Sequence, residues 1–134
     1  KSLKEALKNP LKVYKLDLSY QELTKLPLEI AQLKNLQWFD LGNNQFKSLP
    51  NIIDNLKNLK ELSLGGNQLK SLPNTIGNLK NLQELYLQDS HLKNLPNTIS
   101  NLKNLKVLWL HGNLLAQKEK DKIKKLLPKC DIIF

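Results

Sequence analysis

Leu59 to Asn81 reads LKELSLGGNQLKSLPNTIGNLKN, and a shift of 23 residues in either direction returns the same pattern. Leu18, Leu41, Leu64, Leu87 and Leu110 share one place in it, and Pro27, Pro50, Pro73 and Pro96 share another. A fixed period of this length describes one small structural unit stacked on copies of itself. Alternation around Leu62 and Leu64 is the period of a strand, which sends those leucines inward and Glu61, Ser63 and Gly65 outward. Asn67, ninth in its unit, turns the chain, and its amide can satisfy backbone groups where the strand stops. Leu69, Leu72, Ile76 and Leu79 return along the back, where Pro73 blocks a long helix or a central strand. The strand side is narrower than the return side, so stacking curves the array. The expected architecture is an α/β solenoid with a parallel sheet on its concave face and short 3-10 or irregular segments on its convex face.

Working outward, units begin at Val13, Leu36, Leu59, Leu82 and Leu105, so five repeats fill residues 13–115 of a single domain, 1–134. Every inward position in these units is apolar, with Phe39 and Phe46 the only aromatics. Residues 1–12 read as an N-terminal helical cap: Ser2 and Glu5 fit a capping box, Leu3, Ala6 and Leu7 follow at helical spacing, and Pro10 ends the helix. Residues 116–134 read as a C-terminal cap. A helix is expected over 117–127, with Ile123, Leu126 and Leu127 on one side and Pro128 as its stop, and then CDIIF (130–134) as a short final strand or an apolar plug. Such caps cover the open apolar ends that an array would otherwise present to water or to other chains.

The net charge of +9 raises the question of nucleic acid or anionic membranes. All 21 basic residues are lysine, a point charge without the planar fork that reads base edges, so specific nucleic-acid recognition is not expected. No apolar run is long enough to span a bilayer. The one cysteine, Cys130, allows no intrachain disulfide and leaves the redox compartment open. In the terminal plug it reads as a small hydrophobe, with its burial and reactivity to be established. The chain has no methionine, an initiator included, so a processed or trimmed product is expected, from which an export signal can have been removed.

The first eleven residues of each unit read L-x-x-L-x-L-x-x-N-x-L, most cleanly in Leu59 to Leu69, and LPxxI follows. With the caps in view, the chain resembles bacterial leucine-rich repeat proteins, and in particular the short arrays of leptospiral spirochaetes. Repeats of the form LKNLxxLxLxxNQLxxLPxxI and an ending close to KIKKLLPKCxIxF carry the resemblance over nearly the whole chain. It implies a secreted or surface-exposed protein that binds host components, and it implies no activity and no cofactor. Gln21 and Ser90 depart from the pattern at the ninth position, which Asn44, Asn67 and Asn113 keep. A hydroxyl cannot reproduce both the donor and the acceptor of an amide, so a looser turn is expected at Asp89-Ser90-His91.

Chemistry is sought on the outward strand positions. The third-position column runs Lys15, Trp38, Glu61, Glu84, Val107; the fifth runs Asp17, Asp40, Ser63, Tyr86, Trp109; the seventh runs Ser19, Gly42, Gly65, Gln88, His111. Acidic residues thus gather on the concave face of a basic protein, with large aromatics among them. The reading is a protein-binding surface of Trp38, Asp40, Glu61, Glu84, Tyr86, Trp109 and His111, in which the aromatics anchor and the carboxylates select a basic or polar partner, for which the resemblance implies a host surface or matrix protein. Against it stands the plain view that single exposed aromatics are ordinary and that Trp109 is partly covered by the cap. A second candidate is the row Lys34, Lys57, Lys80 and Lys103, with Lys47, Lys70 and Lys93 beside it, which could hold a sulfated glycan or other polyanion in a salt-sensitive way. A solvated rim inherited with the repeat explains the same lysines more simply. Lys118, Lys122, Lys125 and Lys129 stripe the C-terminal helix, where a cap needs fewer assumptions than a membrane-surface helix. A third class of function is a spacer or assembly module without a ligand of its own. An enzyme is not expected: His91 and His111 occupy different repeat positions, Asp89-Ser90-His91 is contiguous without being a triad, and no glycine-rich phosphate loop or paired-cysteine site exists.

Overall fold

The computed structural model describes residues 2–134. A short helix α1 (Leu3–Ala6) and a 3-10 turn (Pro10–Lys12) precede five strands of three residues each: β1 (Lys15–Asp17), β2 (Trp38–Asp40), β3 (Glu61–Ser63), β4 (Glu84–Tyr86) and β5 (Val107–Trp109). Helix α2 (Gln117–Leu126) and a sixth strand, β6 (Asp131–Ile133), close the array. All six strands form one parallel sheet in chain order. Between the first five strands the register advances by one repeat, pairing Lys15 with Trp38, Trp38 with Glu61, Glu61 with Glu84 and Glu84 with Val107.

The returns are 3-10 turns at Leu28–Gln32, Asn51–Asn55, Asn74–Asn78 and Asn97–Asn101. Each starts after the proline of its LPxxI segment, and the isoleucine N–H bonds back to that proline's carbonyl at 3.1–3.2 Å. A proline has no amide to give but keeps its carbonyl, so it opens a tight turn without leaving an orphan donor. Inward side chains of strands and returns meet in one continuous core. All the repeat's inward positions are buried except Leu23, Leu26 and Leu115, which lie near the two ends and are half-buried.

Two sets of asparagines hold the turns. Asn44 Oδ1 accepts from the Gln21 and Leu23 amides at 3.0 and 2.9 Å, and its Nδ2 donates to the Leu18 and Leu41 carbonyls. Asn67 and Asn113 repeat the two donor bonds one and three units on, with a single amide each, of Phe46 and Leu92, donating to Oδ1. On the approach to the strands, Asn35, Asn58, Asn81 and Asn104 donate to carbonyls 24 residues earlier, Leu11, Lys34, Lys57 and Lys80, at 2.8–3.0 Å. This second ladder is not anticipated by the sequence reading.

The looser turn expected at Asp89-Ser90-His91 is not found. Ser90 is buried, its Oγ accepts from the Leu69 amide at 2.7 Å, and His91 N–H reaches the Leu69 carbonyl at 3.0 Å, as Gln68 reaches Phe46 at 2.9 Å. Serine keeps the acceptor half of the asparagine's work. The donor half is redirected: the Ser90 hydroxyl donates to the Leu69 carbonyl at a long 3.4 Å, and the carbonyls of Leu64 and Leu87, served by Asn67 and Asn113, receive no bond from it. The backbone also turns through the left-handed region at the same place in every unit, at Tyr20, Asn43, Gly66, Asp89 and Gly112, with φ between 54° and 73°. Glycine, asparagine and aspartate tolerate that region; Tyr20 does not share their preference and stands 77% exposed.

At the N-terminus the Ser2 hydroxyl accepts from the Glu5 amide at 3.2 Å, and Ala6 is buried against the first unit. At the C-terminus α2 ends one residue earlier than expected, at Leu126. Ile123 and Leu127 enter the core, so no apolar stripe is left free on that helix. CDIIF is resolved in favour of a strand: Asp131, Ile132 and Ile133 pair with Val107, Leu108 and Trp109.

Candidate functional site

Four neighbouring strands, β2 to β5, carry the concave face. Trp38, Glu61 and Glu84 are direct register partners across β2, β3 and β4, and Asp40, Ser63, Tyr86 and Trp109 form the parallel row beside them. Adjacent strands lie about 4.8 Å apart, so neighbours in a row touch. All seven side chains assigned to the concave site are half-buried. Tyr86 and Trp109 meet edge to face, with ring centroids 4.7 Å apart and planes at 79°. Trp109 continues to His111 at 5.8 Å. Trp38 stands outside this group, on the far side of β3.

The carboxylates are placed differently from one another. Asp40 Oδ1 accepts from the Gly42 amide at 2.8 Å, and Asp17 Oδ1 accepts from the amide and the hydroxyl of Ser19 at 2.9 and 2.6 Å, which holds the Asp17 carboxyl below its usual range. Glu84 receives the Tyr86 hydroxyl at 3.2 Å. Burial, and then the charge of Glu84 and Glu61 nearby, push the Tyr86 phenol up to about 12. Glu61 is raised chiefly by burial; the Trp38 indole lowers it, and the neighbouring Glu84 and Asp40 carboxylates raise it further. None of the described lysines forms an ion pair with them. The one ion pair among the described residues is Lys122 to Glu119 at 3.3 Å, on α2.

Beyond Glu61 the middle strand offers only Ser63 and Gly65, between Trp38 and Asp40 of β2 and Tyr86 of β4. The Gln88 amide folds over Gly65, where a β-carbon would lie 2.4 Å from Nε2. Its Oε1 is buried and has no hydrogen-bond partner among the described residues, and the same holds for Nδ1 of His111.

Lys34, Lys57, Lys80 and Lys103 lie elsewhere. They are exposed, in the turns that lead into the strands, and the backbone carbonyls of the first three are the acceptors of the second asparagine ladder. His91 is exposed and remote in kind from half-buried His111. Among the described residues no group of three or more His, Cys, Asp or Glu is placed to hold a metal ion, and no helix is long and apolar enough to cross a membrane. Cys130 is half-buried beside a cleft of about 390 Å³ between α2 and the last 3-10 turn, and burial with Asp131 nearby pushes its thiol up to about 11. It is therefore protonated, and a poor nucleophile, at neutral pH.

A parallel sheet of short strands with proline-led 3-10 returns, stitched by buried asparagines, defines a leucine-rich solenoid whose outward strand residues are free to face a partner. The leucine-rich repeat region family matches residues 4–127, and the chain belongs to it. Over its whole length the chain is similar to a leucine-rich repeat protein of Leptospira interrogans, at 44% identity and a TM-score of 0.91, covering 34% of that protein. An internalin of Listeria monocytogenes is similar over 99% of this chain and 37% of its own, at 25% identity and a TM-score of 0.78. Internalin C2 of the same organism, at 24% identity and a TM-score of 0.77, shares the fold over all of this chain and 55% of its own. The chain thus spans about a third of the first two solved proteins it matches. No curated protein matches it significantly. Leucine-rich repeats are in general binding modules rather than catalysts.

Proposed function

We propose that this domain binds another protein through its concave face, with Trp38, Tyr86 and Trp109 as anchors and Asp40, Glu61 and Glu84 choosing the partner. An extracellular protein, such as a host surface or matrix component, is the partner class the leptospiral resemblance favours, with secretion or surface display as the matching location. The observation that carries the reading is the packed Tyr86–Trp109–His111 group beside carboxylates that none of the described lysines of a protein with charge +9 pairs with. Tyrosine and tryptophan supply large contact area at little entropic cost, and unpaired charge on a half-buried face is a liability unless something covers it.

Binding to a panel of matrix proteins and sulfated glycans, at low and high salt, tests it. Protein binding that survives high salt and is lost on combined Trp38→Ala, Tyr86→Ala and Trp109→Ala substitution is the expected result. Protein binding indifferent to the triple substitution overturns the assignment. The second reading places a sulfated glycan on Lys34, Lys57, Lys80 and Lys103, which are exposed and form no ion pair among the described residues. Glycan binding that collapses with salt and ignores the aromatic substitutions would move the site there.

A further inference from the structure

We infer that the cleft between helix α2 and the last 3-10 return binds a single-chain amphiphilic carboxylate, of the class of a medium-chain fatty acid, with its tail against buried leucines and its head at Lys103 and Lys129. None of the concave-face residues lines this cleft, so the inference is independent of the protein-binding reading.

The cleft arises where the repeat stops. Each earlier return from Leu28 onward packs against another 3-10 turn one unit later, but after Asn97–Asn101 the chain forms α2 instead. A helix about 10–12 Å wide does not fit the space of one slim return. An opening of about 390 Å³ remains where its C-terminal end and Pro128–Cys130 meet residues 100–105. That volume lies in the range of small-molecule sites.

The wall is divided in its chemistry. Leu102, Leu105 and Leu127 are buried, with Leu126 and the Cys130 thiol half-buried beside them. The Ser100 hydroxyl already donates to the Asn97 carbonyl at 3.0 Å, and none of the buried unpartnered side-chain atoms among the described residues belongs to this wall. The thiol, protonated at neutral pH, acts as a small apolar group. A polar ligand body would lose its water here without replacement, whereas burying methylenes is favourable.

The charged residues of the wall are both lysines, and no acid joins them. Lys103 and Lys129 are exposed, and neither forms an ion pair among the described residues. Unpaired cations beside an aliphatic floor complement an anionic head on an apolar tail. A flexible ammonium closes readily on so compact a head as a carboxylate. A sulfated sugar would match the lysines but not the leucines.

The experiment is calorimetric titration of the 134-residue chain with decanoate and with uncharged decanol, together with the rate at which N-ethylmaleimide labels Cys130, the single cysteine. Decanoate is expected to bind and to slow the labelling. It is expected to bind about fivefold more weakly when the chain carries Lys103→Gln and Lys129→Gln, whereas decanol binds that variant as it binds the parent. Lys34→Gln with Lys57→Gln removes the same charge elsewhere and is expected to leave decanoate binding unchanged. Equal weakening in both double variants would reduce the effect to diffuse attraction by a protein of charge +9 and overturn the site. Decanol that binds as tightly as decanoate overturns the carboxylate, and decanoate that fails to bind or leaves Cys130 unshielded overturns the cleft. A dimer that shields Cys130 without any ligand gives the cleft to a second copy and overturns the inference as well.

Discussion

On its inner side each strand presents what its neighbours present: Leu62 lies between Phe39 and Leu85, and Leu64 between Leu41 and Leu87, all buried. On its outer side the same strand presents Glu61 and Ser63 between Trp38 and Asp40 on β2 and Glu84 and Tyr86 on β4. The inner columns are near copies because every unit must bury the same surface against the next, so a change there disturbs two interfaces at once. The outer columns are free of that demand. They even hold an arrangement that works against folding, two neighbouring glutamates with no ion-pair partner among the described residues.

The largest break in this contrast comes from the inner side. Asn67→Ala removes the acceptor of the Phe46 amide and a donor to the Leu64 carbonyl, both in a buried setting. Unsatisfied buried groups cost about 1–3 kcal/mol each, so denaturant unfolding is expected to show a loss of roughly 3 kcal/mol. A loss below about 1 kcal/mol would mean that the ladder is dispensable. Ser90→Asn acts in the other direction. It adds a second side-chain donor to the Leu64 and Leu87 carbonyls, which Asn67 and Asn113 already serve, and a gain of up to about 1 kcal/mol is expected in the same measurement. No gain would show that serine already does the whole work.

The smallest effect lies on the outer side and has the opposite sign to the asparagine loss. Folded Glu61 titrates above the usual value of 4.5, so the native state holds its proton more tightly than the unfolded chain. The cost of its charge is fully present above the raised value and disappears below the ordinary one. Glu61→Gln is therefore expected to stabilise the protein at pH 7 by about 0.5 kcal/mol, with the gain fading as the pH falls to about 4. Thermal unfolding across that range checks it. A destabilised Glu61→Gln variant at pH 7 would give Glu61 an inner, structural role and erase the contrast between the two sides.

The architecture is legible in the sequence because the repeat period, the alternating leucines and the proline-led returns each report on one local constraint. Asn44, Asn67 and Asn113 declare themselves by falling where a strand must turn. Asn35, Asn58, Asn81 and Asn104 do not, because they sit at exposed or half-exposed places among lysines and look like ordinary surface residues. Their signal is that a polar position repeats without variation while its neighbours do not need to. The left-handed turn residue is hinted at by Asn43, Gly66, Asp89 and Gly112 and hidden by Tyr20. Ser90 misleads for a chemical reason: the acceptor alone preserves the turn, and sequence does not say which half of an amide matters more. On the concave face the columns give the neighbours of Glu61 correctly. They do not give the edge-to-face packing of Tyr86 and Trp109 or the Tyr86–Glu84 bond, because those depend on rotamers that spacing does not fix.

The constant advance of one repeat per strand makes the concave face a ruler. Each unit adds one graduation of about 4.8 Å, and the unit's outer residues are the mark written there. Duplicating a whole unit would leave every inner contact with a familiar neighbour and slide all later marks along by one graduation. Glu61 and Glu84 would then be parted if the copy were inserted between them, while Tyr86 and Trp109 would move together as a block. Specificity in such a protein can be reset by counting, without redesigning a core.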